Sequence, residues 1–83
     1  MSDASDPVPV RRTLLGGKLV YANKTCVRDC TVRQLSPDGA VISLPSTLGL
    51  PRVLELRIPS LAAAYVCETT SRTLSEMRLS FVR

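Results

Sequence analysis

Two segments in the C-terminal half of the chain, residues 53–58 and 76–82, alternate between apolar and polar side chains. In each segment every second side chain is apolar and these fall on one face, while the opposite face is mostly polar, which is typical of a half-buried β-strand. The predicted inward faces of these two strands are Leu54, Leu56, Ile58, Met77, Leu79 and Phe81. Both segments are therefore predicted to be strands.

Turn signals divide the N-terminal half into further short strands. The adjacent Gly16 and Gly17 precede a predicted strand over residues 18–21, and a long strand follows over residues 25–34. Residues 36–39, Ser-Pro-Asp-Gly, are the strongest turn signal, because proline presets φ and glycine tolerates positive φ. A third strand is predicted over residues 40–44.

Residues 59–74 allow two interpretations. Ser60 followed by an alanine-rich run is compatible with the start of a short helix. Tyr65, Val66 and the nearby threonines favour a strand, since aromatic and β-branched side chains suit a pleated surface. We predict a strand here. The remaining predicted inward positions are Leu19, Tyr21, Val32, Ile42 and Val66.

Six short strands separated by Gly and Pro turns predict an all-β fold, a small six-stranded antiparallel β-barrel whose closure removes exposed strand edges. A length of 83 residues allows one such domain, which we place at residues 11–83. Residues 1–10 are polar and contain Pro7 and Pro9, and they are predicted to form a flexible N-terminal arm.

The composition argues against an enzyme. The chain has no histidine, its seven carboxylates form no recognisable acid/base pattern, and Ser36 has no activating neighbour, so no catalytic residue is assigned. Cys26 and Cys30 would lie about 13 Å apart in a strand, too far to share one ion. Three cysteines without histidine also form an incomplete zinc set, so no metal or cofactor is predicted.

The cysteines and the apolar runs bear on localisation. No basic start followed by an apolar run is present, and the longest apolar run, residues 61–67, is far shorter than the ~18 residues of a membrane span. Three free thiols suit a reducing compartment. We therefore expect a cytoplasmic protein that is not inserted in a membrane.

Positive charge is compatible with an anionic ligand, although net charge alone selects no ligand and also suits a solubilising surface. The net charge is +4, and residues 11–83 alone carry eleven basic and five acidic side chains, or +6. Adjacent Arg11 and Arg12 can bind a phosphate or the O6/N7 edge of guanine with paired hydrogen bonds. Ser36 offers a hydroxyl, and Gly39 permits close approach of a ligand. The alternative interpretation is a solvated charge pair beside an ordinary hairpin turn.

The order of these features resembles the PilZ domain family, small bacterial six-stranded barrels that bind cyclic di-GMP. The resemblance covers nearly all of residues 11–83. The family pattern after the second strand, (Asp/Asn)-x-Ser-x-x-Gly, matches at Ser36 and Gly39, with Gln34 in the acidic or amide position. The family's Arg-x-x-x-Arg is reduced to the adjacent Arg11 and Arg12. The resemblance implies that these five residues contact the nucleotide.

Three hypotheses about function follow. The first is a non-catalytic cyclic di-GMP receptor in bacterial signalling, in which Arg11 and Arg12 close over the nucleotide against the turn and an unidentified protein partner reads the change. The second is a PilZ-like protein-interaction module that no longer binds the nucleotide. A nucleic-acid-binding barrel is disfavoured, because the three aromatic residues are expected mainly in the core. The oligomeric state is left open.

Overall fold

The computed structural model describes residues 11–82 of the protein, with side chains from Leu14 onward. These residues form a closed barrel of six antiparallel strands in the order β1-β2-β3-β6-β5-β4, which confirms the predicted fold class. The predicted arm, residues 1–10, lies outside the described residues. The elements are β1 (Arg11–Tyr21), β2 (Cys26–Ser36), β3 (Gly39–Ser43), β4 (Val53–Ile58), a 3-10 turn (Pro59–Leu61), β5 (Ala63–Arg72) and β6 (Glu76–Phe81).

The first strand is longer than predicted, since it begins at Arg11 rather than at residue 18 and includes both glycines. Gly17 is buried, and a Cβ there would lie 3.1 Å from the Cys30 sulfur and 3.2 Å from Val32 Cγ2. The glycine therefore allows close packing inside the strand. A β-bulge between Arg12 and Leu15 also breaks the alternation on which the prediction relied.

One hydrophobic core fills the barrel. Of the predicted inward residues, eight are buried and Tyr21 and Phe81 pack against the core from its margin. The aromatic rings of Tyr65 and Phe81 stack with their centroids 4.1 Å apart. The eight buried residues are Leu19, Val32, Ile42, Leu54, Leu56, Ile58, Met77 and Leu79.

The predicted inward position of Val66 is wrong. Val66 is 53% exposed, whereas the next residue, Cys67, is fully buried and lies opposite Leu54. Val66 instead lies opposite Glu55 on the outer face. Strand propensity favours valine on either face of a sheet, so the composition of this segment did not determine which of two adjacent side chains points inward.

The ambiguous segment contains both predicted structures. Helical geometry is confined to one 3-10 turn, Pro59–Leu61, and the strand prediction is confirmed over Ala63–Arg72. Between them Ala62 adopts a left-handed conformation with φ of 51°, and its N–H donates to the Pro59 carbonyl at 3.0 Å. No helix in the described part of the chain is long and apolar enough to cross a membrane.

The connection between β3 and β4 closes one end of the barrel. Leu44 and Leu50 from this loop enter the core. The buried Thr47 donates its hydroxyl to the Thr73 carbonyl at 2.6 Å. Two arginines also donate to loop carbonyls, Arg28 at Leu48 (2.9 Å) and Arg72 at Leu50 (2.8 Å). The β2–β3 hairpin turn lies toward the opposite end.

Barrel closure depends on a short seam between β1 and β4. The two strands pair at three positions, where Lys18, Leu19 and Val20 lie opposite Arg57, Leu56 and Glu55. By contrast, the β1–β2 register extends from Arg11 to Tyr21. Residues 11–17 of β1 therefore have partners in β2 but none in β4.

Candidate functional site

The β2–β3 hairpin turn is built by Ser36 and Gly39, which lie opposite each other and leave Pro37 and Asp38 as the two turn residues. The Gly39 N–H donates to the Ser36 hydroxyl at 3.2 Å, and this hydroxyl also lies 3.2 Å from the Gly39 carbonyl, to which it donates. Both hydrogen bonds lie within the turn. The serine hydroxyl thus stabilises the hairpin whether or not a ligand is present.

Close packing of β3 against β6 requires a glycine at position 39. It is buried and lies opposite Ser80 of β6, and a Cβ at this position would clash with the backbone oxygen of Leu79. Its φ is not in the left-handed region that the turn signal suggested. The close approach that we expected toward a ligand is therefore made to β6.

Strand register brings the predicted site residues to one part of the barrel. Arg12 lies opposite Gln34, and Arg11 lies opposite Leu35. Gln34 in turn lies opposite Val41 of β3, and Val41 lies opposite Arg78 of β6. Gln34, Val41 and Arg78 belong to one row across the outer face of the sheet, since the inward positions beside them are filled by core residues. The backbone of Arg12 continues this row onto β1.

An open cavity of about 320 Å³, hereafter the hairpin groove, lies over this row. It spans the outer surface from the β2–β3 turn to β6 and the C-terminal part of β5. Its walls combine apolar side chains with hydroxyl and amide groups, one arginine and the Asp38 carboxylate. The lining residues are Gln34, Leu35, Ser36, Asp38, Gly39, Ala40, Val41, Thr70, Arg78, Leu79 and Ser80.

Arg78 is the site residue that sequence reasoning missed. Its side chain is exposed, and its guanidinium has no hydrogen-bond or ion-pair partner among the described residues. Its carbonyl accepts a hydrogen bond from the Thr70 hydroxyl at 3.3 Å. In sequence it was only a polar position in an alternating strand, 42 residues after Ser36. Only the β3–β6 register brings it to the groove.

Much of the remaining positive charge is already engaged within the protein. Ion pairs join Lys18 to Asp29 at 2.6 Å, Arg52 to Glu68 at 2.9 Å and Arg57 to Glu55 at 3.1 Å. Arg28 and Arg72 bind backbone carbonyls of the β3–β4 loop. Arg78 and the exposed Arg33, which precedes Gln34, are therefore among the cations available to an anionic ligand.

Burial suppresses ionisation of two of the three cysteine thiols. Burial raises the pKa of the Cys30 thiol to about 11, and the neighbouring Asp29 charge adds to this effect. Burial likewise raises the pKa of Cys67 to about 11, against a smaller lowering by the Leu56 backbone. Both thiols are protonated near neutral pH. No group of three or more Cys, Asp or Glu side chains within residues 14–82 is arranged to hold a metal ion.

Comparison with known proteins assigns no family, since the sequence matches no protein-family model and no curated protein. Function must therefore be argued from the residues of the hairpin groove and from the strands that position them.

Proposed function

We propose that the protein is a non-catalytic receptor for cyclic di-GMP, with the hairpin groove as its binding surface. The observation that carries this proposal is the cross-strand row that places Arg12, Gln34 and Arg78 beside the Ser36 turn, on β1, β2 and β6, with Val41 of β3 between the last two. Cyclic di-GMP presents two phosphates and two guanine bases, and it therefore needs cations and hydrogen-bonding groups side by side. The row supplies both.

Each group in the groove has a role in this proposal. The Arg78 guanidinium binds a phosphate or the O6/N7 edge of a guanine through two parallel hydrogen bonds. The Gln34 amide both donates and accepts, which suits a purine edge. Arg11 and Arg12 contribute the second cationic side of the site from β1. The Ser36–Gly39 hairpin holds Gln34 and the edge of the groove in place.

The size of the groove fits part of the ligand. A volume of about 320 Å³ is at the small end of the ~300–1,000 Å³ range of small-molecule sites. We therefore expect one guanine and its phosphate to lie in the groove, while the other half of the nucleotide remains on the surface. The exposed half of the nucleotide alters the surface to which a cytoplasmic protein partner binds, and partner binding therefore depends on the nucleotide.

Titration calorimetry with cyclic di-GMP tests the proposal. Arg78→Ala should weaken binding about tenfold to a hundredfold, because a charged hydrogen-bonded contact is worth about 1.5–3 kcal/mol. Arg57→Ala is the matched control, since Arg57 is an exposed strand arginine outside the groove lining. It should bind the nucleotide as the unmodified protein does. Absence of heat at ~100 μM protein would refute physiological binding.

A second candidate function is a protein-interaction module that does not bind the nucleotide. The observation that favours it is that Ser36 and Gly39, the two residues that match the motif, are both explained by the hairpin and its contact with β6. The Arg-x-x-x-Arg pattern is also reduced to two adjacent arginines. Affinity capture of a partner by the immobilised protein, equal with and without cyclic di-GMP, would support this function over the first.

A further inference from the structure

The N-terminal part of β1 has an edge that no described strand covers. On one side, residues 11–17 follow the register with β2. On the other side, pairing with β4 begins only at Lys18, and the chain after β4 forms the 3-10 turn instead of continuing the ladder. The backbone of residues 11–16 thus has no ladder partner on that side among the described residues. Such an edge is a template for an added strand.

The described residues leave part of the space beside this edge open, although the 3-10 turn lies near Gly16 and Gly17. Gly16 is exposed, and no atom of the described residues lies within 4 Å of the position that its Cβ would occupy. Leu14 is 78% exposed. A cavity of about 330 Å³ adjoins the point where β1 leaves β4, and it offers room for a side chain of an incoming strand. Its lining residues are Gly16, Gly17, Lys18, Asp29, Cys30, Pro59 and Ser60.

The edge lacks most of the features that normally prevent strand addition. Residues 11–17 contain no proline and no lysine, the two residues that commonly block exposed edges. The protective features present are the bulge between Arg12 and Leu15, which increases the local twist, and the charges of Arg11 and Arg12. We therefore expect an added strand to be short, about four residues, with its centre near Leu14 and Leu15.

Charge around the edge selects the chemistry of the partner. Arg11 and Arg12 lie on the edge strand, and the exposed Arg33 lies opposite the bulge on β2. Neither residues 11–17 nor residues 30–36 contain a carboxylate. A second copy of this chain would bring the same positive charge to the interface, since residues 11–83 carry +6. An acidic partner meets no such repulsion.

We propose that the free edge of β1, residues 11–16, is a β-addition site for an acidic, extended segment of a protein partner. Main-chain hydrogen bonds supply the affinity, and the arginines select acidic side chains. This site shares Arg11 and Arg12 with the proposed nucleotide site, but strand addition needs no nucleotide, so its test can fail independently of nucleotide binding.

Backbone amide exchange measured by NMR on the full-length, ¹⁵N-labelled protein tests this proposal. The probe is a capped heptapeptide of alternating glutamate and valine, and the matched control alternates lysine and valine. The acidic peptide should slow exchange at those amides of residues 13–16 that point away from β2. It should bind at least about tenfold more tightly than the lysine peptide, and less tightly as NaCl rises from ~50 to ~500 mM.

Two variants with the same change in net charge sharpen the test. Leu14→Glu should weaken acidic-peptide binding about fivefold through like-charge repulsion at the edge. Leu48→Glu should not, because Leu48 is an equally accessible leucine (69% exposed) in the β3–β4 loop. The proposal fails if ~1 mM acidic peptide protects none of these amides, if the lysine peptide binds as well, or if both variants lose binding equally. It also fails if the protein alone forms a dimer that protects the same amides.

Discussion

Gly39 illustrates, at the scale of single residues, why a motif match needs a packing explanation beside a functional one. Its missing side chain is what lets β3 lie against the Leu79 backbone, and the Ser36 hydroxyl then completes the turn. Both residues would be kept by the fold alone. Gln34 and Arg78 have no such structural task among the described contacts, so they are the better indicators of binding in the hairpin groove.

We expect Gly39→Ala to destabilise the protein by at least about 3 kcal/mol, because a Cβ would overlap a backbone oxygen that cannot move without shifting β6. Gly16→Ala is the control. Its Cβ would meet open space, and we expect a change within about 0.5 kcal/mol. Urea denaturation measures both. Equal stability of the two variants would contradict the packing role of Gly39.

Thr69 and Thr47 make a second matched pair. Among the residues that the structure describes, the buried Thr69 hydroxyl has no hydrogen-bond partner, whereas the buried Thr47 hydroxyl donates to the Thr73 carbonyl at 2.6 Å. Thr69→Val removes an unsatisfied polar group and should stabilise the fold by about 1 kcal/mol. Thr47→Val leaves a carbonyl without its donor and should destabilise it by about 1–3 kcal/mol. Shifts of the same sign in thermal unfolding would refute this interpretation.

At the scale of elements, sequence alternation was informative where strands are regular. It located β4 with its bounds and β6 to within a residue, because in both strands every second side chain enters the core. It failed to locate the N-terminal part of β1, because a bulge interrupts the alternation there and two glycines lie within the strand instead of ending it. In β5 it selected Val66 instead of Cys67, since propensity carries no information about which face a β-branched residue occupies.

The candidate site was predictable to the same limited extent. Ser36, Gly39 and Gln34 lie close together in sequence, so a local motif could identify them. Arg78 joins them only through pairing of β3 with β6, and no local pattern reports that pairing. Similarly, the open edge of β1 depends on where β4 stops pairing with it, which the sequence does not express.

The junction between the 3-10 turn and β5 provides a prediction at the element scale. Ala62 holds φ of 51°, which is costly for a residue with a Cβ. Ala62→Gly should therefore stabilise the protein by about 0.5–1 kcal/mol. Gly49→Ala should have the opposite effect, because Gly49 has φ of 82° in open space and only backbone strain would be added. Chemical denaturation of the two variants checks both signs.

At the scale of the whole molecule, the two buried thiols couple folding to alkaline pH. Cys30 and Cys67 have pKa values raised from 9.0 to about 11 in the folded protein, chiefly by burial. Below pH 9 the folded and the unfolded chain both keep these thiol protons, so the two thiols do not make the free energy of unfolding depend on pH. Between pH 9 and 11 the unfolded chain loses them first, and the free energy of unfolding should fall.

Urea denaturation from pH 7 to 11 measures this dependence. The decline attributable to the thiols should be smaller in a Cys30→Ala/Cys67→Ala variant than in the unmodified protein. Cys26→Ala serves as the control, since Cys26 is exposed. An identical alkaline slope in the double variant would show that the buried thiols are not the coupled groups.

The three-pair seam between β1 and β4 has a kinetic consequence for these same thiols. The Cys30 sulfur lies beside the end of the seam, since a Cβ at Gly17 would lie 3.1 Å from this sulfur and 3.4 Å from Leu56 Cδ1. A transient parting of β1 from β4 gives a reagent access to Cys30 while the other strand pairs remain intact. Cys67 is enclosed between β4 and β6, and it reacts only after wider unfolding. Disulfide-exchange labelling of Cys30 should therefore be faster than labelling of Cys67, and urea should accelerate it less. The seam thus sets how often Cys30 becomes accessible to a reagent.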